Sequence, residues 1–226
     1  SAASDVYKRQ VTPITTITVG AVVGLSIGVP IAAFMTKVGE LINWGAVQQP
    51  FWAGIIVSVL MGIALTLPIS SAAIGVSLNL SGIAAGAAAV GCAANMVGFA
   101  VASFRENKTG GLVAQGLGTS MLQMPNIIRK PVIWLPAILA SAILGPISTC
   151  VLGMTNNATG SGMGTCGLVG QIMAFQTMTG EGMGAALVLL QILLMHVAAP
   201  AILALLFSEL MRKKGWIKMG DMKLDI

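Results

Sequence analysis

Long apolar stretches without Asp, Glu, Lys or Arg alternate with short polar stretches along this chain. A helix needs roughly 20 apolar residues to cross the hydrocarbon core of a bilayer. Backbone polar groups cannot stay unpaired in lipid, so stretches of this length are predicted to be helices. Five of them, called spans A to E here, are Ile14–Met35, Phe51–Ile69, Gly82–Ser103, Val132–Leu152 and Gly184–Ser208. The pattern predicts an all-α, polytopic integral membrane protein.

The composition supports this prediction and excludes two other classes. Only 8% of the 226 residues are charged, 56% are hydrophobic, and the mean hydropathy is +0.90. A soluble domain carries about 25% charged residues, which cover its surface. Disordered chains need low hydrophobicity. A soluble globular domain and a disordered chain are therefore both excluded.

The first ten residues, SAASDVYKRQ, differ from everything that follows. They resemble the in-frame translation of a sequencing adapter, so we expect residues 1–10 to be non-native and to form no part of the membrane domain. The remainder divides into a membrane domain over residues 11–210, which we expect to be the C-terminal part of a longer domain, and a cytoplasmic tail over residues 211–226.

The positions of the basic residues predict the orientation in the membrane. The net charge is +5, which in a soluble protein would suggest nucleic acid. With five alternating spans and a cytoplasmic C-terminus, every basic residue after residue 10 falls on one side, as the positive-inside rule requires. Trp44, Trp52, Trp134 and Trp216 then lie near the cytoplasmic ends of spans B, D and E. We therefore expect a bacterial inner-membrane protein that binds no nucleic acid.

Two glycine-rich segments are apolar but too broken to cross the membrane. We call Gly110–Asn126 the inner segment and Met154–Glu181 the outer segment, and Ser70–Ser81 is expected to link spans B and C outside. The inner segment contains GLGTS at 116–120 and the outer segment contains GMGTC at 162–166. Similar broken segments that enter from opposite faces and meet near the midplane are typical of transporters. We predict two re-entrant hairpins that meet.

Both segments concentrate amides and hydroxyls, which can donate and accept hydrogen bonds as sugar recognition requires. Any single amide could instead cap a broken helix end. As a group they predict a site for a polar solute, formed by Gln115, Thr119, Gln123, Asn126, Asn156, Asn157, Thr165 and Gln171.

Two titratable residues extend this predicted site. His196 is the only histidine and lies in span E, four residues before Pro200. It would contact solute or a proton, or be a neutral histidine bonded to a neighbouring helix. Glu181 precedes span E and would contact solute or favour the positive end of the helix dipole. No nucleophile–base motif or metal-ligand spacing is present, so no catalytic residue, metal or cofactor is expected.

Five stretches carry a resemblance to a known family. They are Gln49-Pro50-Phe51, IIVSVLMGIALTLPISS at 55–71, GFAVASFREN at 98–107, QGLGTSMLQMPN at 115–126 and GSGMGTCGLVGQ at 160–171. The chain resembles the EIIC-like membrane proteins of the phosphotransferase system, in the toxin-regulator branch. Members usually begin with further hydrophobic segments, so the resemblance implies that N-terminal spans are missing here.

The resemblance implies a sugar permease subunit served by soluble phosphocarrier subunits, which carry the phosphorylated His or Cys. This chain would hold no phosphoryl-carrying residue, and a partner would dock around Arg105–Lys108 and Arg129–Lys130. A counterpart of the acidic sugar-binding motif of glucose-type members is absent, which leaves the sugar open. The alternatives are a membrane sensor that signals through its tail and an ion- or proton-coupled carrier that uses His196. A homodimer is also expected, because many transporters pair subunits.

Overall fold

The computed structural model describes residues 15–20, 33, 37, 40, 42, 44 and 49–224. The chain forms two compact units, residues 1–41 and residues 42–226. In the first unit, residues 15–20 are helical. Predicted span A therefore lies mostly outside the described residues, and the predicted non-native segment lies wholly outside them.

The second unit is built from helices. Ten α-helices are described in this unit: α1 Pro50–Thr66, α2 Ser71–Ser77, α3 Gly82–Ala102, α4 Phe104–Val113, α5 Met124–Arg129, α6 Leu135–Pro146, α7 Ala158–Ser161, α8 Val169–Gly180, α9 Ala185–Ile192 and α10 Ala199–Lys213. Shorter turns of 3₁₀- and π-helix extend or join them: Ala114–Gly118, Ser120–Gln123, Pro131–Trp134, Ile147–Leu152, Cys166–Leu168 and Leu193–Ala198.

Among the described residues, three continuous helical rods are long and apolar enough to cross a membrane: Gly82–Ala102, Pro131–Leu152 and Ala185–Lys213. They confirm spans C, D and E, and the last extends beyond the predicted Ser208. Span B is the shorter apolar helix α1. It ends at Thr66 because Leu67 precedes Pro68 and adopts an extended conformation, φ −67° and ψ 155°, as residues before proline do. The all-α, polytopic membrane fold is confirmed.

Glycines let α1, α3 and α6 cross in close contact. A Cβ on Gly91 of α3 would collide with the carbonyl of Ser58 in α1, and a Cβ on Gly145 of α6 would collide with the carbonyl of Gly54. Without water in the bilayer, helix association depends on this kind of close backbone packing. The glycine- and alanine-rich sequence of span C is thus explained by its central place, with most of its side chains fully buried.

The direction of α1 differs from the predicted topology. Thr149, late in the third rod, donates to the carbonyl of Pro50, and Ser58 donates to the carbonyl of Ser141. Hence α1 runs antiparallel to α6. Since Gly98 of α3 faces Ala137 at the start of α6, α3 is antiparallel to α6 as well. Therefore α1 and α3 run in the same direction, and the prediction that consecutive spans B and C alternate was wrong.

The stretch Ser70–Ser81 makes this parallel arrangement possible. It was predicted to be an external link, but it returns alongside the helices from the end of α1 to the start of α3. Ile74 and Leu80 are buried, and Ser71 donates to the carbonyl of Gly162 in the outer segment. One side of this stretch therefore packs inside the protein, while Val76 on the other side is exposed. Trp52, at the start of α1, consequently lies at the opposite end of the second unit from Trp134 and Trp216. The prediction that these tryptophans share one membrane face was therefore wrong.

The charged groups collect where α3 and α10 end. Arg212 of α10 pairs with Glu106 at 2.8 Å, Arg105 pairs with Glu209 at 3.1 Å, and Lys130 pairs with Asp221 at 2.6 Å. We call this the charged end of the second unit. The other end carries a backbone bridge between Gly82 and Asn156. This one-sided distribution agrees with the sequence prediction for residues 105–223.

Candidate functional site

The inner and outer segments meet through a hydrogen bond. The hydroxyl of Thr165 donates to the carbonyl of Gly116 over 2.5 Å. The same hydroxyl lies 3.4 Å from the sulfur of Met96 on α3. The contact lies nearer the end of α3 than its middle, because Gly116 faces Ala100. The two segments with similar sequences are therefore brought together beside the second half of α3.

The outer segment is a hairpin that enters and leaves at the same end. Thr155 near its beginning donates to the carboxylate of Glu181 at its close, over 2.6 Å. Its tip is bent by left-handed residues, with φ of 51° at Gly164, 52° at Gly167 and 61° at Leu168. Gly164 lies against the backbone of Cys92, where a side chain would collide. Left-handed backbone at a non-glycine residue such as Leu168 is costly and is concentrated at functional sites.

A cavity of about 150 Å³ lies beside the contact, where three breaks in the helices converge. The breaks are the turn after α1, the turn before the 3₁₀ helix Ser120–Gln123, and the tip of the outer segment. Thr119 and Cys166 contribute side chains from the inner and outer segments. The lining is mostly apolar, with Leu65, Ile69, Ala72, Met96, Met121 and Met163, and its polar members are Ser70, Ser71, Thr119 and Cys166.

A second cavity of about 260 Å³ lies beside Gly116 and Thr165 and is almost entirely apolar. Its wall includes Val97, Leu117 and Val197. Gln171 also lines it, and both the nitrogen and the oxygen of the Gln171 amide are buried without a hydrogen-bond partner among the described residues. Unpaired buried amides are costly, so Gln171 is the predicted site residue with the most unused hydrogen-bonding capacity.

Three other predicted site residues form a connected set. Gln123 donates to the amide oxygen of Gln115 at 2.9 Å, and Asn126 donates to the amide oxygen of Gln123 at 3.0 Å. Gln115 also donates to Ser103 at the end of α3. Gln123 and Asn126 further donate to the carbonyls of Met222 and Lys223. These amides join the inner segment to the C-terminal residues and line neither of the two cavities described above.

Asn156 and Asn157 hold the base of the outer hairpin. Asn156 is buried and donates to the carbonyl of Gly170 at 3.1 Å. The side chain of Asn157 accepts from the backbone N–H of Gly160 at 2.9 Å and caps α7. This is the capping role that short polar side chains fill at helix starts. The two amides bind the protein's own backbone.

Glu181 and His196 lie apart from the small cavity. Glu181 follows the last residue of α8, whereas the next helix begins at Ala185 with no acidic residue in its first turn. The helix-dipole interpretation of Glu181 was therefore wrong. His196 is buried in the π-turn Leu193–Ala198, just before Pro200, and its Nδ1 has no hydrogen-bond partner in the part of the chain described. A π-turn accommodates the backbone donor that proline lacks.

A polar cluster around Asn95 escaped the sequence analysis. Asn95 is the only amide in α3 and is fully buried. It donates to the hydroxyl of Ser141 at 3.1 Å and accepts from the indole of Trp134 at 3.0 Å and from Thr66 at 3.4 Å. The hydroxyls of Thr66 and Ser120 are 2.9 Å apart, so the cluster also binds the inner segment. A polar residue inside an apolar span was the signal that could have identified it.

The ion pairs of the charged end differ in their exposure to solvent. Arg212 and Glu106 are nearly inaccessible to solvent, with 10% and 2% of their side chains exposed, while Lys130 and Asp221 are 31% and 21% exposed. Burial on its own would raise the pKa of Asp221. The hydrogen bonds from Lys130 and from the backbone of Lys218, with the charges of Lys130 and Arg212, outweigh burial and lower that pKa below its ordinary value.

The comparison with known families agrees with this arrangement. The family model described as "Phosphotransferase system, EIIC" matches residues 6–224. No curated protein and no solved structure matches the chain. The match covers nearly the whole chain and confirms the resemblance drawn from the sequence. The chain belongs to the phosphotransferase system EIIC family and is a permease-type, multi-pass membrane subunit.

Proposed function

We propose that this subunit translocates a sugar or a similar polar solute across the bacterial inner membrane, and that the solute binds where the three helix breaks converge. The observation that carries the proposal is the hydrogen bond from Thr165 to Gly116 beside the small cavity. Broken helices expose backbone groups only where protein or a water-filled cavity covers them, and transporters bind solutes at such places.

The cavity lining suits hydroxyl-bearing solutes. Ser70, Ser71 and Thr119 contribute hydroxyl oxygens that donate and accept. Ser71 and Thr119 already bind backbone groups, since Ser71 donates to Gly162 and Thr119 accepts from Met121. Their remaining capacity, with the thiol of Cys166, would serve the solute. Gln171, whose amide is unpaired, would receive the solute on its path past the Thr165–Gly116 contact.

Phosphoryl transfer would come from a soluble phosphocarrier subunit docked at the charged end, which we assign to the cytoplasmic side. Lys108 and Arg129 are exposed there, while Arg105 and Lys130 are paired with acidic residues of the same chain. Exposed cations attract an acidic partner and accelerate its association at low salt. We propose Lys108 and Arg129 as the principal cations of this docking face.

Uptake of radiolabelled hexoses, N-acetylhexosamines and hexitols tests the proposal, in cells with and without the complete gene. We expect one of these solutes to depend on the gene. Thr119→Val should reduce its uptake, while Thr109→Val, at an exposed position of α4, should not. The proposal fails if the gene changes uptake of none of these solutes, or if both substitutions act equally.

Proton-coupled transport is a second candidate, favoured by the buried, unpartnered Nδ1 of His196. Histidine is the side chain that most readily exchanges protons near neutral pH. If His196 carries the coupled proton, His196→Gln should abolish the pH dependence of uptake while the protein still inserts in the membrane. An unchanged pH profile would remove His196 from the transport mechanism.

A further inference from the structure

The backbone of residues 222–224 is bound by side chains of α4, the inner segment and α5. The carbonyl of Met222 accepts from Asn107 at 2.8 Å and from Gln123 at 3.0 Å. The N–H of Met222 donates to Glu106 at 2.8 Å, and the N–H of Leu224 donates to Asn107 at 2.8 Å. With the bond from Asn126 to Lys223, five hydrogen bonds fall on three consecutive residues. These side chains form a backbone-binding groove made of Glu106, Asn107, Gln123 and Asn126.

The apolar side chains of the same residues are also anchored. Met222 is fully buried, and Ile217 is 2% exposed, in a cluster with Phe99 at the end of α3 and Ile133 before α6. Burying a methionine side chain removes its apolar surface from water and stabilises the docked position. Met219, by contrast, is 68% exposed. Residues 217–224 are therefore a specifically docked segment, in which Ile217, Met222 and Leu224 are buried and Met219 is exposed.

The groove is continuous with the contact between the broken segments. Gln123 binds Met222 on one side and Gln115 on the other, and Gln115 directly precedes Gly116, which accepts from Thr165. Two hydrogen bonds between amides thus connect the docked segment to the residue next to the contact. A displacement of Met222 would take one hydrogen bond from Gln123, the residue that also binds Gln115, and so weaken the hold on this part of the inner segment.

We propose that residues 217–224 form a latch that holds the inner segment in its contact with the outer segment. While the latch occupies its groove, the inner segment is held directly at Gln123 and Asn126, and at Gln115 through Gln123. When the latch leaves, the inner segment loses its two hydrogen bonds to residues 222 and 223 and can move away from Thr165. The effect on transport rests on the proposed function, whereas the docking and its influence on the inner segment do not.

Hydrogen–deuterium exchange of the full chain in lipid nanodiscs, without any solute, tests the latch. Met222→Asp places a charge in the buried pocket, and Met219→Asp places the same charge at an exposed position of the same segment. We expect Met222→Asp to accelerate exchange about tenfold both in residues 214–224 and in residues 111–123, on the scale of one or two lost hydrogen bonds. Met219→Asp should exchange like the wild type in both regions.

Asn107→Leu separates the latch from a general loosening of the fold. It removes two hydrogen bonds to the latch and leaves the apolar pocket intact. We expect faster exchange in residues 214–224 and 111–123 and unchanged exchange in residues 135–146 of α6. The proposal is overturned if either variant frees residues 214–224 while residues 111–123 keep wild-type exchange. Hydrogen–deuterium exchange is measured without any transport, so its result stays valid even if the proposed transport function is wrong.

Discussion

The hydroxyl of Thr165 donates to the carbonyl of Gly116 across 49 residues of sequence, and this bond joins the tips of two segments that enter the fold from opposite ends. Each segment is anchored separately at its base. The outer one is closed by Thr155 and Glu181, and the inner one is held by the amides that bind residues 222 and 223. A contact between two separately anchored tips can break and re-form without unfolding either base.

Replacing Thr165 should therefore affect transport more than stability. Thr165→Val keeps the shape and removes the donor, which leaves the Gly116 carbonyl without this bond. The loss of one buried hydrogen bond is worth about 1 kcal/mol, so we expect uptake to fall roughly fivefold to tenfold. Thr165→Ser keeps the donor and should transport normally. Equal uptake by Thr165→Val and wild type would show that the contact has no role in translocation.

The Asn95 cluster should dominate the stability of the helix core. Asn95→Leu leaves Trp134, Ser141 and Thr66 without their shared partner, and interhelical hydrogen bonds in membrane proteins are worth about 0.6 kcal/mol each, at most about 1.7. We expect a loss of about 2 kcal/mol in the free energy of unfolding in detergent. The control is Gln191→Leu, because the amide oxygen of Gln191 has no partner among the described residues. A control that destabilises as much as Asn95→Leu would contradict this account.

The close crossing of α1 and α3 predicts a contrast between two glycines. A Cβ on Gly91 would collide with the backbone of Ser58, whereas a Cβ on Gly180 would meet open space. Gly91→Ala should destabilise by roughly 1–3 kcal/mol, as overpacking does, while Gly180→Ala should be neutral or slightly stabilising. Thermal unfolding in the same detergent measures both. If Gly91→Ala leaves the melting temperature unchanged, the helices do not cross as described.

The two charge pairs near the latch should differ strongly. Removing one partner of a buried pair costs about 3–5 kcal/mol, so Glu106→Gln, which also weakens the bond to Met222, should markedly destabilise the charged end. Solvent-exposed pairs are worth about 1 kcal/mol or less, and the Lys130–Asp221 pair is only partly buried, so Asp221→Asn should cost less than Glu106→Gln. Chemical denaturation of the two variants in parallel gives the comparison. Equal losses would mean that burial does not govern the energetics there.

Sequence patterns were sufficient for part of this fold. Spans C, D and E follow from uninterrupted apolar length, and the shared GLGTS and GMGTC sequences anticipated that the two segments meet. The direction of α1 could not be read in the same way, because hydropathy alone does not distinguish an external link from a returning segment. The burial of Ile74 and Leu80 identifies residues 70–81 as a returning segment, and this burial depends on contacts with distant residues.

The candidate site was predicted less completely. Thr119, Thr165 and Gln171 do line the two cavities, but Gln115, Gln123 and Asn126 bind the backbone of residues 222 and 223. The sequence does not show whether an amide side chain binds solute or backbone, because its donor and acceptor serve both. Only the docking of a segment about 100 residues away, which tertiary structure alone determines, assigns these amides to the latch groove.

The thiol of Cys166 reports whether solute occupies the cavity between the broken segments. Cys166 lines that cavity, Cys150 is exposed elsewhere, and Cys92 is buried. In membrane vesicles carrying Cys92→Ala and Cys150→Ala, the rate of Cys166 modification by N-ethylmaleimide is measured with and without the solute identified by uptake. A matched protein that keeps only Cys150 serves as the control. The transported solute should slow modification of Cys166 as its concentration rises and leave Cys150 unaffected. Unchanged modification of Cys166 at saturating solute would contradict solute binding in this cavity.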